Sequence, residues 1–221
     1  MTPTTLNRTR RVVGTALAAA TLAAALSACA PLIVGGAVVG GVMAVDRRTA
    51  GTQIEDEGIE LRAANRIREA LGDRAHVNVT SYNRQALLTG EVATAQDRQA
   101  VEQMVSQVEN VRSVVNDLAV MPPSTLSQRS TDTFITGKVR ASLVDAQDIS
   151  ANSFKVVTER NTVYLMGRVS QREANRATEI ARGVTDVRKV VRVFEIVSEE
   201  ELRRIAPQPA PVTTDTKPAG G

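Results

Sequence analysis

A chain of 221 residues with one cysteine, one histidine, no tryptophan and five other aromatic residues is short of the groups that most chemistry requires. The lone Cys29 cannot staple the fold, and a metal site built from sulfur would need partners that are absent. His76 precedes Val77 on the opposite face of a strand with no nucleophile at a recognisable motif nearby, so it reads as a surface imidazole rather than a general base. Glu55-Asp56-Glu57 reads as a solvated acidic run at the start of a helix, where the helix dipole favours it, and not as a cation site. Gly90 and Gly167 stand alone at strand ends, without the glycine-rich loop that cradles a phosphate, and mark bulges or close packing. Aromatics interleaved with basic residues, the platform for single-stranded nucleic acid, are missing. The expectations therefore include no catalytic residue, cofactor, metal or nucleic acid, and Cys29 needs another purpose.

Its neighbours supply one. Arg8, Arg10 and Arg11 form a basic start, Val12 to Leu26 is apolar and rich in alanine, and Ser27 and Ala28 are small, which is the build of a secretory signal peptide over 1–28. A transmembrane helix fits less well, because the uncharged stretch is shorter than the ~20 residues of a span and no stop-transfer charges follow closely. Leu26-Ser27-Ala28-Cys29 resembles the bacterial lipobox, in which the thiol is acylated and becomes the first residue of the mature chain. Two or three acyl chains, at ~0.8 kcal/mol per buried methylene, hold far more firmly than one. Cys29 is then a lipid anchor. By resemblance to lipoprotein sorting, Ala30 after the cysteine, where inner-membrane retention would favour Asp, points to the outer membrane with the protein facing the periplasm. Residues 29–51, with the run "PLIVGGAVVGGVMAV", read as the lipidated N-terminus and a Gly-rich tether, and 199–221 as a Pro/Thr-rich disordered tail.

Loss of the signal peptide removes three arginines and no acid, so the formal charge of +3 falls to zero in the mature chain. Bulk charge gives no argument for a polyanionic partner. Local charge is uneven: Thr52 to Met121 carries 11 acids and 7 bases, net −4, and Gln128 to Val197 carries 8 acids and 12 bases, net +4. The two halves should meet different partners.

These halves are copies of one unit. "VNVTSYNRQALLTGEV" (77–92) overlays "FKVVTERNTVYLMGRV" (154–169) without a gap at an offset of 77, and "VEQMVSQVENVRSVV" overlays "ATEIARGVTDVRKVV" at an offset of 76. Each copy opens with a helix: Ala63, Ile67 and Leu71 lie on one face at spacings of four and align with Ile135, Val139 and Leu143, which makes the loop before Phe154 about five residues longer than its counterpart. Val77, Val79, Ala86, Leu88 and Val92 then alternate around the turn Tyr82-Asn83-Arg84-Gln85, and Asn161 and Thr162 supply the second turn; Tyr82 and Tyr164 read as hairpin residues. A second helix sets Val101, Met104, Val105 and Val108 on one face, copied by Ala177, Ile180, Ala181 and Val184. The last strand runs from Val111 to Val120 and again from Val187 to Val197. A unit of ~70 residues is near the lower limit for a self-sufficient core. The order α-β-β-α-β, with the third strand arriving after a helix, gives an α+β fold of two helices packed on a three-stranded mixed sheet. The expected domains are 52–121 and 130–198, joined by a linker at 122–129.

The α-β-β-α-β unit with "ALLTGEV" and "VYLMGRV", followed by a helix and a V-x-x-V strand, resembles the BON domain, and both copies match. With the lipobox, "GTQIEDEGIELR" and "DTFITGKVRASL", the whole resembles the BON-domain lipoproteins of the Gram-negative outer membrane. That resemblance implies a periplasmic, non-enzymatic protein supporting outer-membrane integrity, which binds anionic phospholipid through one of its domains.

The first-helix alignment sets Arg62 opposite Phe134, a charge where the other copy has a ring. Phe134, with Lys138 and Arg140 beside it, reads as an interfacial wedge whose ring enters the acyl boundary while the cations meet phosphates. Phe134, Lys138, Val139, Arg140 and Val144 are therefore the expected contacts to an anionic phospholipid membrane. In the alternative, Phe134 packs on the neighbouring domain, or the same surface makes the protein a scaffold that docks an outer-membrane assembly or peptidoglycan-associated protein. Nothing in the chain indicates an oligomeric state.

Overall fold

The computed structural model describes residues 46–205; Cys29, the expected signal peptide, most of the tether and the chain from 206 onward lie outside the described residues. Helix α1 (Ala50–Leu71) starts at Thr49, whose side chain accepts the hydrogen of Thr52 N and satisfies one orphan donor of the first turn. Strands β1 (His76–Tyr82) and β2 (Gln85–Val92) form a two-residue hairpin in which Tyr82 pairs with Gln85. The central residues Asn83 and Arg84 have φ of 51° and 66°, the left-handed pair whose twist matches that of the flanking strands. Helix α2 (Ala95–Ser106) leads to β3 (Ser113–Asn116) and β4 (Ala119–Val120), both parallel to β2. The strand expected over 111–120 is thus broken at Asp117 and Leu118, and Leu118 turns into the core.

The second repeat begins with α3 (Leu126–Asp145), whose start carries a capping box between Thr125 and Gln128. Strands β5 (Lys155–Glu159) and β6 (Thr162–Val169) form the matching hairpin, with Arg160 and Asn161 at φ of 50° and 57°. Helix α4 (Gln171–Gly183) then leads to β7 (Lys189–Ile196), parallel to β6. Each repeat is α-β-β-α-β on a mixed sheet, as the periodicity implies. A further helix, α5 (Glu199–Ile205), buries Leu202, so ordered chain extends seven residues into the region read as a disordered tail. At the other end Arg47 and Arg48, read as part of the tether, are docked: Arg47 forms a bidentate pair with Glu173, and Arg48 bonds Asp56 at 2.8 Å and stacks on the Tyr82 ring.

Each repeat encloses its own apolar core between helices and sheet, Ile59, Ala63, Ile67, Leu88, Val101 and Val105 in the first and Ile135, Val139, Leu143, Leu165, Ala177 and Ala181 in the second. A third cluster, of Tyr82, Leu87, Tyr164, Met166 and Val193, joins the repeats through the sheet faces that carry no helix. Successive residues of β2 and β6 serve different cores, which is why "ALL" and "VYLM" are apolar without a gap. Tyr82 and Tyr164 are therefore core residues of the junction and not hairpin decoration; the Tyr164 hydroxyl donates to Asp117 Oδ2 at 2.7 Å.

Polar contacts reinforce the junction. Lys155 Nζ bonds Glu60 at 2.6 Å and the Ser81 carbonyl at 3.1 Å, Asn83 bonds Glu195 at 2.6 Å, and Arg160 donates to the Gly90 carbonyl at 2.8 Å. Gly90, at φ 109°, and Gly167 lie where a Cβ would overlap the carbonyls of His76 and Ser153, so close strand packing explains both.

The helix register differs from the expected one. Asp56 accepts hydrogens from the backbone of Asn83 and Arg84, and Asp132 accepts them from Arg160 and Asn161, each carboxylate tying its helix to its own hairpin turn. Asp56 therefore corresponds to Asp132, Ile59 to Ile135, Ala63 to Val139 and Ile67 to Leu143. The alignment of Ala63 with Ile135 is one helical turn out, and the loop before Phe154 is longer by one residue, not about five. Nor is Asp56 solvated: it is 1% exposed, and Ser81 Oγ and Arg48 complete its set of donors.

Candidate functional site

Helix α3 carries the expected lipid surface on the side away from its core stripe. Ile135, Val139 and Leu143 point into the second core, which leaves Phe134 at 67% exposure and Val144 at 70%. Phe134, Gly137, Ala141 and Val144 follow one another at i, i+3, i+7 and i+10, and a side chain at Gly137 would meet only open space. Val139 does not belong to the surface: it is fully buried, and it holds the helix to the sheet from beneath. The expectation that Phe134 seals the neighbouring repeat does not describe this structure either, since the ring is solvent-facing.

The two cations are unequal. Lys138 Nζ lies 2.7 Å from Asp186 and donates to the Thr185 carbonyl at 3.0 Å, while standing 5.1 Å from the centre of the Phe134 ring. Its charge is largely answered within the protein. Arg140 makes one long bond, 3.4 Å to the Val156 carbonyl, and among the described residues it has no ion pair.

With the corrected register, Phe134 corresponds to Gly58, and Arg62 corresponds to Lys138. The contacts agree: Arg62 donates to the Glu109 carbonyl at 3.3 Å as Lys138 does to the Thr185 carbonyl, at the same place in each repeat. The basic residue is a feature of both copies that ties the first helix to the end of the second. The ring is what distinguishes the second copy, and the contrast is sharper than a ring against a charge, because glycine offers no side chain at all.

A second cluster lies at the junction, and sequence reasoning missed it. His76, Glu91 and Glu159 each present a ligand-type atom, and these atoms all lie within 4.8 Å of one another. His76, expected on the surface, has a side chain only 18% exposed, and Glu159 is 3% exposed. Burial pushes the Glu159 carboxyl up; the Asn78 hydrogen bond opposes this, and the charges of Glu91 and Asp132 add to it. Burial, aided by the charge of Arg129 and opposed by that of Glu91, pushes the His76 imidazole down. The signal was invisible within one repeat, since the three residues come from two strands of the first sheet and one of the second.

Two α-β-β-α-β units packed on each other through their sheets, the second with an apolar helix face turned outward, define the class of the protein. The BON domain matches twice, at residues 59–122 and 131–198, and the chain belongs to the BON-domain family. It is 34% identical over 172 residues to the outer membrane lipoprotein DolP of Haemophilus influenzae, covering 77% of this chain and 89% of that one. It is also 34% identical over 155 residues to the 21 kDa hemolysin of Actinobacillus pleuropneumoniae, covering 69% of this chain and 80% of that one. A solved structure of CdsD, a structural protein of the type III secretion system of Chlamydia trachomatis, aligns over 69% of this chain and 96% of that one at 14% identity and a TM-score of 0.28.

Proposed function

We propose that the protein is a non-catalytic outer-membrane lipoprotein, anchored through Cys29 and facing the periplasm, whose second BON domain binds anionic phospholipid and so supports envelope integrity. The observation that carries this reading is Phe134, a large apolar ring left 67% exposed on α3 beside Lys138, where the other repeat has glycine. Similarity to a protein named as an outer membrane lipoprotein supports the location. No helix among the described residues is long and apolar enough to cross a membrane. The division of labour is physical: the acyl chains hold the protein at a bilayer, and the α3 face selects surface charge.

Phe134→Glu removes the ring and adds a like charge, which at ~1.5–3 kcal/mol for one buried aromatic predicts a loss of about tenfold or more in binding to anionic vesicles. Leu61→Glu, on the exposed face of α1, should leave binding unchanged. Arg140→Ala should cost about 1 kcal/mol and Lys138→Ala less, because Asp186 already holds Lys138. Raised salt should reduce binding of the wild type in step. Cosedimentation with anionic and zwitterionic vesicles, with thermal melts of each variant, measures this. A folded Phe134→Glu protein that still sediments like wild type would show that the face serves a protein partner instead. Cys29→Ser should leave an uncleaved and unacylated precursor, read by metabolic labelling with a clickable fatty acid, since no second thiol exists to take its place.

A further inference from the structure

The repeats differ most where a repeated fold gives no reason to. At the offset that superposes the hairpins, Glu91 stands where the second repeat has Arg168, Glu159 where the first has Tyr82, and His76 where the second has Ser153. One end of the junction therefore gathers Tyr82 with Arg47 and Arg48, and the other gathers two buried carboxylates and the only imidazole of the chain. Two carboxylates brought together out of water repel each other, and the fold could be closed there, as at its other end, without them.

Their hydrogen bonds orient them without using them up. Glu159 Oε2 accepts from Asn78 Nδ2 at 2.8 Å, while Oε1 faces His76 Nε2 across 4.0 Å and accepts no hydrogen bond among the described residues. Glu91, fully buried, accepts the Ser124 N–H on Oε2 at 3.0 Å, and Oε1 has only Arg160 at 3.4 Å. Arg160 keeps its shorter bond to the Gly90 carbonyl whether or not Glu91 is free. Glu159 thus has one oxygen held by a donor and the other free beside the imidazole, whose Nε2 lies 3.3 Å from Asn78 Nδ2, while Glu91 would give up only the long Arg160 contact; donors on the far oxygens are the arrangement in which outer partners fix the ligands of a metal.

We propose that His76, Glu91 and Glu159 bind one divalent transition-metal ion of the zinc class, which clasps the two BON domains together. One nitrogen and two oxygens suit that class better than calcium or magnesium, which take oxygen sets of six or more. Ligand atoms no more than 4.8 Å apart surround a centre at most about 2.8 Å away, so each must close by roughly 0.7 Å to reach ~2.0–2.2 Å. The ion has a way in: His76 and Glu159 line a cleft of about 370 Å³ that also leaves room for water as the remaining ligand. Two ligands come from the first repeat and one from the second, so the ion would tie the domains together and oppose their separation.

The test uses the full mature protein in detergent, where the acylated cysteine is a thioether and no free thiol competes. Isothermal titration with Zn²⁺ should give one site, Zn²⁺ should raise the melting temperature, and Co²⁺ should give visible d–d absorption of a low-coordinate nitrogen and oxygen site. Mg²⁺ should do none of these. Glu159→Gln, which keeps the shape and removes the like charge, and His76→Ala should each weaken Zn²⁺ binding at least tenfold while the metal-free proteins still fold. Absence of stoichiometric Zn²⁺ binding, or binding and stabilisation that persist equally in folded Glu159→Gln and His76→Ala, would overturn the proposal.

Discussion

Asp56→Asn should destabilise the protein by roughly 3–5 kcal/mol, the cost of removing one partner from a buried charged set. The carboxylate is 1% exposed and receives hydrogens from Ser81 Oγ, Asn83 N, Arg84 N and Arg48. An asparagine keeps one oxygen and turns an amide donor toward donors. Burial alone would push the Asp56 carboxyl up, but the hydrogens of Ser81, Arg84, Arg48 and Asn83 together hold it below its ordinary 3.8. A depressed carboxylate stabilises the folded state above its ordinary value, and that contribution is lost as pH falls through the folded value. The gap between wild type and Asp56→Asn, from urea unfolding followed by circular dichroism, should therefore be full at pH 7 and shrink below about pH 4. Asp132→Asn should cost less, roughly 2–3 kcal/mol, because Asp132 binds two turn N–H groups and has no arginine partner among the described residues. Equal stability of wild type and Asp56→Asn at pH 7 would mean that the carboxylate is solvated after all.

Tyr164→Ala should cost about 3–5 kcal/mol, as for other large buried aromatics, and its effect should reach both repeats. The ring is fully buried in the cluster that joins the sheets, against residues of both domains, and its hydroxyl binds Asp117 of the other repeat. Tyr164→Phe removes only that hydrogen bond and should cost about 1 kcal/mol or somewhat more, since the acceptor is charged. Limited proteolysis should cut Tyr164→Ala in the segment between the repeats, around residues 121–125, faster than wild type. A Tyr164→Ala protein with wild-type melting and proteolysis would mean that the sheets do not pack on each other.

The strands and their turns were legible because their signals are local. Alternation of Val77, Val79, Ala86 and Leu88 reads directly as one buried face, and Asn83-Arg84 supplies the left-handed pair that a two-residue hairpin needs. The first helix was legible as a helix but not in register. A ladder at spacings of four maps onto itself when shifted by four, so Ala63-Ile67-Leu71 fits Ile135-Val139-Leu143 as readily as Ile59-Ala63-Ile67 does. Only the aspartate that reaches the turn breaks this degeneracy, and its partner lies nearly thirty residues away in sequence. The same shift hid the fact that Phe134 replaces a glycine. Phe134 and Val144 could still be placed on the surface from helical phase, and the same phase should have removed Val139 from the candidate face. The junction was illegible for a different reason: burial of Tyr82, Tyr164 and Glu159 comes from the other repeat, and no periodicity within one repeat reports a partner.

The central claim, that the α3 face enters an anionic membrane, is tested most directly by light. The chain has no tryptophan, so Phe134→Trp gives a single reporter at the proposed point of entry, similar in size and with the same preference for the interface. In buffer an indole at this exposed position should emit at long wavelength. With anionic vesicles the emission should shift to the blue and be quenched by lipids brominated near the headgroup end of the acyl chain, and with zwitterionic vesicles it should stay as in buffer. Unchanged emission and no quenching on anionic vesicles that the protein nonetheless binds would contradict the account, because the membrane contact would then lie elsewhere on the molecule.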